Sequence, residues 1–359
     1  MPIMNNWKFD GKAESLLRKL VGVEAPSGDE IRMGGFLRNL LETMPGVTVS
    51  TDVLGNVYAS YDTGGPVTLG LVAHIDSVGI QITRVDSDGM CRFRMVGGLL
   101  PHVLLGQRVK ILTRSGVVDG VIGFDQTSQF GQPKGLVDSD LWIDTLSAAG
   151  SSVRAGDFAV MEPQVKVDGN LLSGTSLDDR IGVLSLLEIL RLVNEHRLPV
   201  NLHCIFSAQE EIALRGASII GANCDMDACI VVDVDYATDT PLSHSEQMGC
   251  LVLGHGAGLT RKVDNNPVLF RIFSDVAEKE EIPYQVNVGR YICRGTDAAV
   301  LQTAGEGVAT LNVSVPCRYM HSPVEVCSIK DVESVISLIY SAIHMMAETG
   351  CRSFIPGID

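Results

Sequence analysis

Four apolar runs in this 359-residue chain end in side chains that can hold a metal ion or carry a proton. Gly70-Leu71-Val72-Ala73 leads into His74-Ile75-Asp76, and the run 202–208 leads into Gln209-Glu210-Glu211. The run 228–232 leads into Asp233-Val234-Asp235, and 309–315 leads through Arg318-Tyr319-Met320 to His321. A fifth group, Asp178-Asp179-Arg180, stands just before an apolar stretch that starts at Ile181. Singly, these are ordinary residues: a strand-end aspartate closes turns, a lone histidine satisfies a local contact, and paired glutamates open solvated helices. Together they offer two imidazoles and several carboxylates, a donor set that suits zinc, cobalt or manganese rather than calcium or magnesium.

Spacing narrows the chemistry to a two-metal hydrolase. His74 and Asp76 lie two apart at a strand end and share a face. Asp76 can then accept the far ring N–H of His74 and fix its tautomer. Glu210 and Glu211 are adjacent and point differently, so one can ligate while the other stays free as a general base. Two ions about 3.5–4 Å apart need a bridging carboxylate, and the Asp178-Asp179 pair supplies one.

These groups need a scaffold that brings strand ends to one edge. Residues 13–22 and 29–43 carry apolar positions at helical spacing, with a turn at Pro26-Ser27-Gly28-Asp29-Glu30 between them. Strands are expected at 47–52, 56–60 and 67–73. Between 79 and 161 the texture changes to short alternating runs broken by glycine and aspartate turns, as in a small β-barrel or sandwich of about 85 residues. After Lys166, helices at 181–192, 267–280 and 330–346 alternate with strands at 201–206, 228–234 and 308–315. The expected fold is α/β: a helix-flanked, mostly parallel sheet with an inserted small β-barrel. Residues 1–76 and 164–359 form the catalytic unit, and 77–163 the insert. Ligands of such sheets bind beyond the carboxyl ends of the strands, where the five groups would meet.

Composition removes other classes. The 28 Lys and Arg against 43 Asp and Glu leave a net charge of −15, which disfavours nucleic acid and anionic membranes as partners. No apolar run approaches the ~20 residues of a spanning helix, and the start MPIMNNWKFDGKAE lacks the apolar stretch of a signal peptide. The nine cysteines form no Cys-x-x-Cys pair and read as reduced core thiols of a cytoplasmic protein. Gly254-His255-Gly256-Ala257-Gly258 does not match a dinucleotide fingerprint, and no nucleophile elbow or phosphate loop occurs. His244 and His255 read as loop residues, His102 as structural or interfacial, and His196, His203 and His344 as packing or surface groups.

The residues resemble the co-catalytic metallopeptidases that include the tetrahedral (TET), glutamyl and deblocking aminopeptidases and relatives labelled endoglucanases. The resemblance runs from Pro26 to Glu325. It is carried by Ala73–Gly79, Gly106-Gln107-Arg108-Val109, Gly120-Val121-Ile122-Gly123, Asp178-Asp179-Arg180-Ile181-Gly182, Gln209-Glu210-Glu211, Asp233, Gly295-Thr296-Asp297-Ala298 and Arg318-Tyr319-Met320-His321-Ser322-Pro323-Val324-Glu325. It implies a zinc-peptidase-like fold with two divalent ions, zinc or cobalt. Asp178 would bridge them, joined to Asp179 by a cis peptide. His74 and Asp233 would complete one site, Glu211 and His321 the other. Glu210 would be the general base and Asp76 would orient His74. Asp235 stands where the family commonly has a small hydroxyl residue; Asp233 is kept as the ligand because it lies nearest the end of its apolar run. The insert would be a dimerisation domain, whose dimers in the family build twelve-subunit assemblies.

The expected activity is removal of N-terminal residues from peptides, with Thr296 and Asp297 helping to shape the substrate pocket. The alternative on the same scaffold is hydrolysis of acylated amino acids or dipeptides. A glycosidase would need only two carboxylates and leaves both histidines unexplained. A non-catalytic assembly protein leaves Glu210 and the full ligand set unexplained.

Overall fold

The computed structural model describes residues 7–124, 135–145, 152–241, 243, 245–288, 295–350 and 353–357. A sheet of eleven strands forms the larger part. Four strands run parallel at its centre, in the order Asn201–Ser207, Thr68–His74, Ala228–Tyr236 and Ala309–Arg318. These are near-continuous Val, Ile, Leu and Ala runs, as strands covered on both faces must be. Antiparallel pairs extend the sheet on both sides, through Val57–Tyr61 and Val47–Thr51 at one end and Glu325–Ser328, Leu171–Gly174 and Val165–Asp168 at the other. The sheet as a whole is therefore mixed around a parallel core.

Alternate strand residues feed two cores. Leu71, Ala73, Ile230 and Val232 pack with the helices Gly11–Val21, Leu177–His196, Pro267–Lys279 and Ile329–Thr349. Val72, Ile205 and Val231 pack on the other face against Arg215–Asn223 and Ala298–Leu301. The helix Leu177–His196 is apolar nearly all round and correspondingly buried along most of its length. Its regular turns start only after Asp179: Asp178 and Asp179 have non-helical dihedrals, and the peptide between them is cis. The Asp179 carboxylate accepts the Gly182 N–H at 2.9 Å, capping the helix that follows.

Gly79–Val85, Cys91–Val96, Leu141–Asp144, Gly116–Phe124, Arg108–Thr113 and Phe158–Met161 close into a barrel in that order. Its interior is Ile80, Ile82, Phe93, Val109, Ile111, Ile122 and Ile143, contributed by period-two alternation, and closure leaves no free sheet edge. Five of the described cysteines are buried, Cys224 is half-buried and Cys250 is exposed; all are unpaired. His203 Nδ1 lies 2.8 Å from Ser60 Oγ and His196 Nδ1 lies 2.6 Å from Tyr340 Oη, both packing contacts. His102 and His255 are exposed. His244, Cys293 and Cys351 lie outside the described residues. No described helix is long and apolar enough to cross a membrane.

Candidate active site

The carboxyl ends of the central strands converge as the sheet topology requires. His74 is the last residue of its strand, Asp233 sits three residues before the exposed end of the next, and Glu210 and Glu211 lie three and four residues after the end of Asn201–Ser207. Asp178 reaches the same place from the start of its helix. His321 comes from the turn after Ala309–Arg318, where both Tyr319 (φ 63°) and His321 (φ 60°) are left-handed.

Asp178 stands between two imidazoles. Its Oδ1 lies 2.9 Å from His74 Nε2 and its Oδ2 lies 3.3 Å from His321 Nε2. Beyond them, Asp233 Oδ1 is 3.8 Å from His74 Nε2, and Glu211 Oε2 is 3.1 Å from His321 Nε2. Donors about 2.0–2.2 Å from a tetrahedral ion stand roughly 3.3–3.6 Å from each other, so these separations already have the scale of a ligand shell. One possible donor atom from each of His74, Asp178 and Glu211 falls within 4.8 Å of the other two, and the same is true of His74, Asp179 and Asp233. Glu211 Oε1 and Asp179 Oδ2 are buried without a hydrogen-bond partner. Buried, unpaired carboxylate oxygens facing imidazoles fit divalent cations, because such charge is otherwise costly.

The electrostatics show how much negative charge is crowded here. Burial pushes the Glu210 carboxyl well above its ordinary range, with Asp233, Asp297 and Glu211 adding and His74 opposing. Burial and neighbouring carboxylates raise Asp179 and Asp233 in the same way. Burial also works against ionised Asp178, but its contacts with His321 and His74 outweigh this and hold it below the usual carboxylate range. Burial lowers the basicity of the imidazoles, yet Asp178 and Glu211 bring His321 up to about 11, and Asp178 and Asp76 raise His74.

Asp76 does more than face His74. The nearest acceptor for His74 Nδ1 is the Asp76 main-chain oxygen at 3.1 Å, with Oδ1 at 3.5 Å. The fully buried carboxylate accepts from Ser27 Oγ (2.6 Å) and from the backbone N–H groups of Glu210 (2.9 Å) and Glu211 (3.1 Å). It thus holds the turn that carries both glutamates. Asp235 accepts from Asn287 Nδ2 at 2.5 Å and from the Tyr236 N–H.

A cavity of about 1110 Å³ opens over the cluster, and Thr296 lines it. The Thr296 hydroxyl donates to Asn312 Oδ1 at 2.6 Å. Asp297 sits behind the wall instead: it is 1 % exposed and accepts from Ser207 Oγ.

Two site residues lie outside the sequence reading's assignments. Glu325 accepts the Asp178 N–H (3.0 Å) through Oε2 and the His321 N–H (2.9 Å) through Oε1. In the sequence it closes the Arg318–Glu325 stretch that carries the family resemblance, where it has no assigned role. Arg180 is buried behind Asp178, donates to the Ile75 carbonyl and interacts electrostatically with Asp76, Asp178, Asp179 and Glu325.

Residues 55–338 match the profile of the M42 glutamyl aminopeptidase family. The lysyl aminopeptidase of Pyrococcus furiosus is 33% identical over 302 residues, 81% of this chain and 85% of that protein. Among solved structures, the aminopeptidase APDkam598 from Desulfurococcus kamchatkensis superposes with a TM-score of 0.85 at 30% identity, covering 93% of this chain and 95% of its own. The TET1 peptidase of Pyrococcus horikoshii, which can assemble into a tetrahedron or a large octahedral shell, gives a TM-score of 0.81 at 28% identity, covering 92% and 98%. By sequence and by fold, the chain belongs to the M42 glutamyl aminopeptidase family and is a peptide-bond hydrolase.

Proposed function

We propose that the protein is a dinuclear metal-dependent aminopeptidase that removes N-terminal residues from peptides. One observation carries this reading: the two oxygens of Asp178 face two different imidazoles, as a bridging carboxylate must. Asp178 would then be shared, with His74 and Asp233 completing one site and Glu211 and His321 the other, and zinc or cobalt would suit the mixed N/O donors. When bound, the ions supply Lewis acidity toward the scissile carbonyl and lower the pKa of a water molecule.

The chain's own residues do the rest. Among the described residues Glu210 has no ion-pair partner; it lines the cavity and has a raised proton affinity. Its carboxylate takes the proton of the attacking water and returns it to the leaving amine. Asp76 fixes Glu210 through the backbone N–H it accepts and keeps His74 in the tautomer whose Nε2 faces Asp178. Arg180 offsets part of the buried negative charge. Thr296 contributes to the wall against which the first side chain packs.

Residues 77–163 are read as the dimerisation unit, and the TET-like fold supports self-assembly of such dimers. An acidic, helix-covered chain of this kind fits a cytoplasmic site of action.

The test is hydrolysis of a panel of acidic, basic, apolar and N-acetylated aminoacyl p-nitroanilides, with protein stripped by chelator and refilled with zinc or cobalt. Cleavage restored by metal and confined to free N-termini is expected. Cleavage of acetylated members instead would move the reading to acylated amino acids. Glu210→Gln should bind both ions and lose about 10²–10⁴-fold in kcat; a variant with near-normal kcat removes Glu210 as the base.

A further inference from the structure

We propose that Gly98, a residue of the barrel's connecting loop, is a positioning residue for His321: the side chain it lacks leaves the space in which the imidazole stands. The proposal rests on the dinuclear reading for its consequence and on sterics for its origin. A Cβ built on Gly98 would lie 2.4 Å from His321 Nδ1 and 2.8 Å from Cε1. Carbon atoms do not approach ring atoms that closely, so one side must move. Gly98 itself has no left-handed φ, in contrast to Gly97 (φ 81°), so alanine there is a problem of space and not of backbone conformation.

The ring has little freedom to give way along the chain. Its backbone N–H is held by Glu325 Oε1, and its own φ is left-handed. One edge of the imidazole, Nε2, faces Asp178 Oδ2 and Glu211 Oε2; the other, Nδ1, faces Gly98. The imidazole is thus held between the carboxylates of the catalytic sheet and a loop that follows the barrel strand Cys91–Val96. Any side chain at position 98 turns Nε2 away from Asp178 and Glu211. Through this contact the barrel contributes to the metal centre as well as to assembly: a shift of the 97–98 loop reaches the ion on the His321 side directly.

The experiment is a double-mutant cycle on metal uptake. Wild type, Gly98→Ala, His321→Ala and the double variant are stripped with chelator. Each is titrated with zinc against a chromophoric competitor, and stoichiometry is read by elemental analysis. The wild type is expected to take two ions per chain. Gly98→Ala should weaken one of the two by tenfold or more and leave the other within about twofold. The double variant should match His321→Ala, since the ring that clashes is gone. Equal loss from Gly98→Ala in both backgrounds, or uptake by Gly98→Ala within twofold of wild type, overturns the proposal. If Gly98→Ala alone does not fold, the double variant decides: recovery of folding when the ring is removed supports the clash, and continued failure refutes it. If the wild type takes a single ion, the dinuclear reading falls, and the same cycle then tests Gly98 on that ion.

Discussion

Replacing Glu325 with glutamine tests whether one carboxylate holds the ligand shell from behind. Glu325 is 2 % exposed, and its two oxygens accept the N–H groups of Asp178 and His321. Glutamine keeps the size but has one acceptor; its NH₂ must face a backbone N–H and strand it. A hydrogen bond to a charged group contributes about 1.5–3 kcal/mol, and a stranded buried donor costs about 1–3 kcal/mol. These overlap, so about 3 kcal/mol is the expected total. Expressed wholly in metal binding, that is roughly a hundredfold loss of affinity. The stripped protein should feel less of it. Burial and the Asp178 charge push the Glu325 carboxyl up to about 8, so near neutral pH the stripped site is mostly protonated there, and glutamine mimics that form. Bound cations favour the carboxylate that glutamine cannot supply. Thermal melts at pH 7 should therefore separate the loaded proteins by roughly 4 °C and the stripped proteins by about 1 °C or less. Chelator competition measures the affinity directly. Loaded melts that coincide, with affinities within about twofold, would refute the reasoning.

Two further predictions follow from the same cluster. Asp76→Ala strands the N–H groups of Glu210 and Glu211 and leaves the Ser27 hydroxyl only the Ser77 carbonyl; it should cost about 3 kcal/mol of stability and at least about a hundredfold in kcat/KM, and wild-type turnover would show that the Glu210 turn holds without it. The stripped and loaded proteins should also respond oppositely to pH. With Glu325 raised to about 8, Glu210 and Asp233 raised, and His321 raised to about 11, the stripped fold binds more protons than the unfolded chain between about pH 5 and 8, so its stability falls as pH rises through that window. Ion binding needs those ligands deprotonated, so the stabilisation by metal grows with pH. Melts at pH 5.5 and 8 with and without chelator should show a gap that widens with pH; a narrowing gap rejects the shifts.

Much of the fold is legible because burial leaves a period in the sequence. The central strands are read within three residues at either end, as with 201–206 against Asn201–Ser207 and 308–315 against Ala309–Arg318, since both faces are apolar and the runs end in polar residues. Leu141–Asp144 has no counterpart among the strands expected from the sequence, whereas the equally short Phe158–Met161 does. Mixed strand direction is also invisible to periodicity: Glu325–Ser328 and Leu171–Gly174 read locally like any short strand, and hydrogen-bond partners far along the chain decide that they run antiparallel.

The same division holds in the site. The sequence by itself determined which side chains could ligate, because their types and their places at strand ends follow from local order. It also determined that they would converge, because the carboxyl ends of parallel strands share an edge. Only the tertiary structure decided what stands behind them. It turned the Asp76 carboxylate to the Glu210 and Glu211 backbone, put Asp297 behind the wall and Thr296 in it, set Glu325 under Asp178 and His321, and pressed Gly98 against His321. Glu325 and the Asp178 N–H are 147 positions apart, and Asp76 and the Glu210 N–H are 134 apart. Spacing along a chain reports which face of an element is buried; it carries no record of which distant backbone will lie against that face.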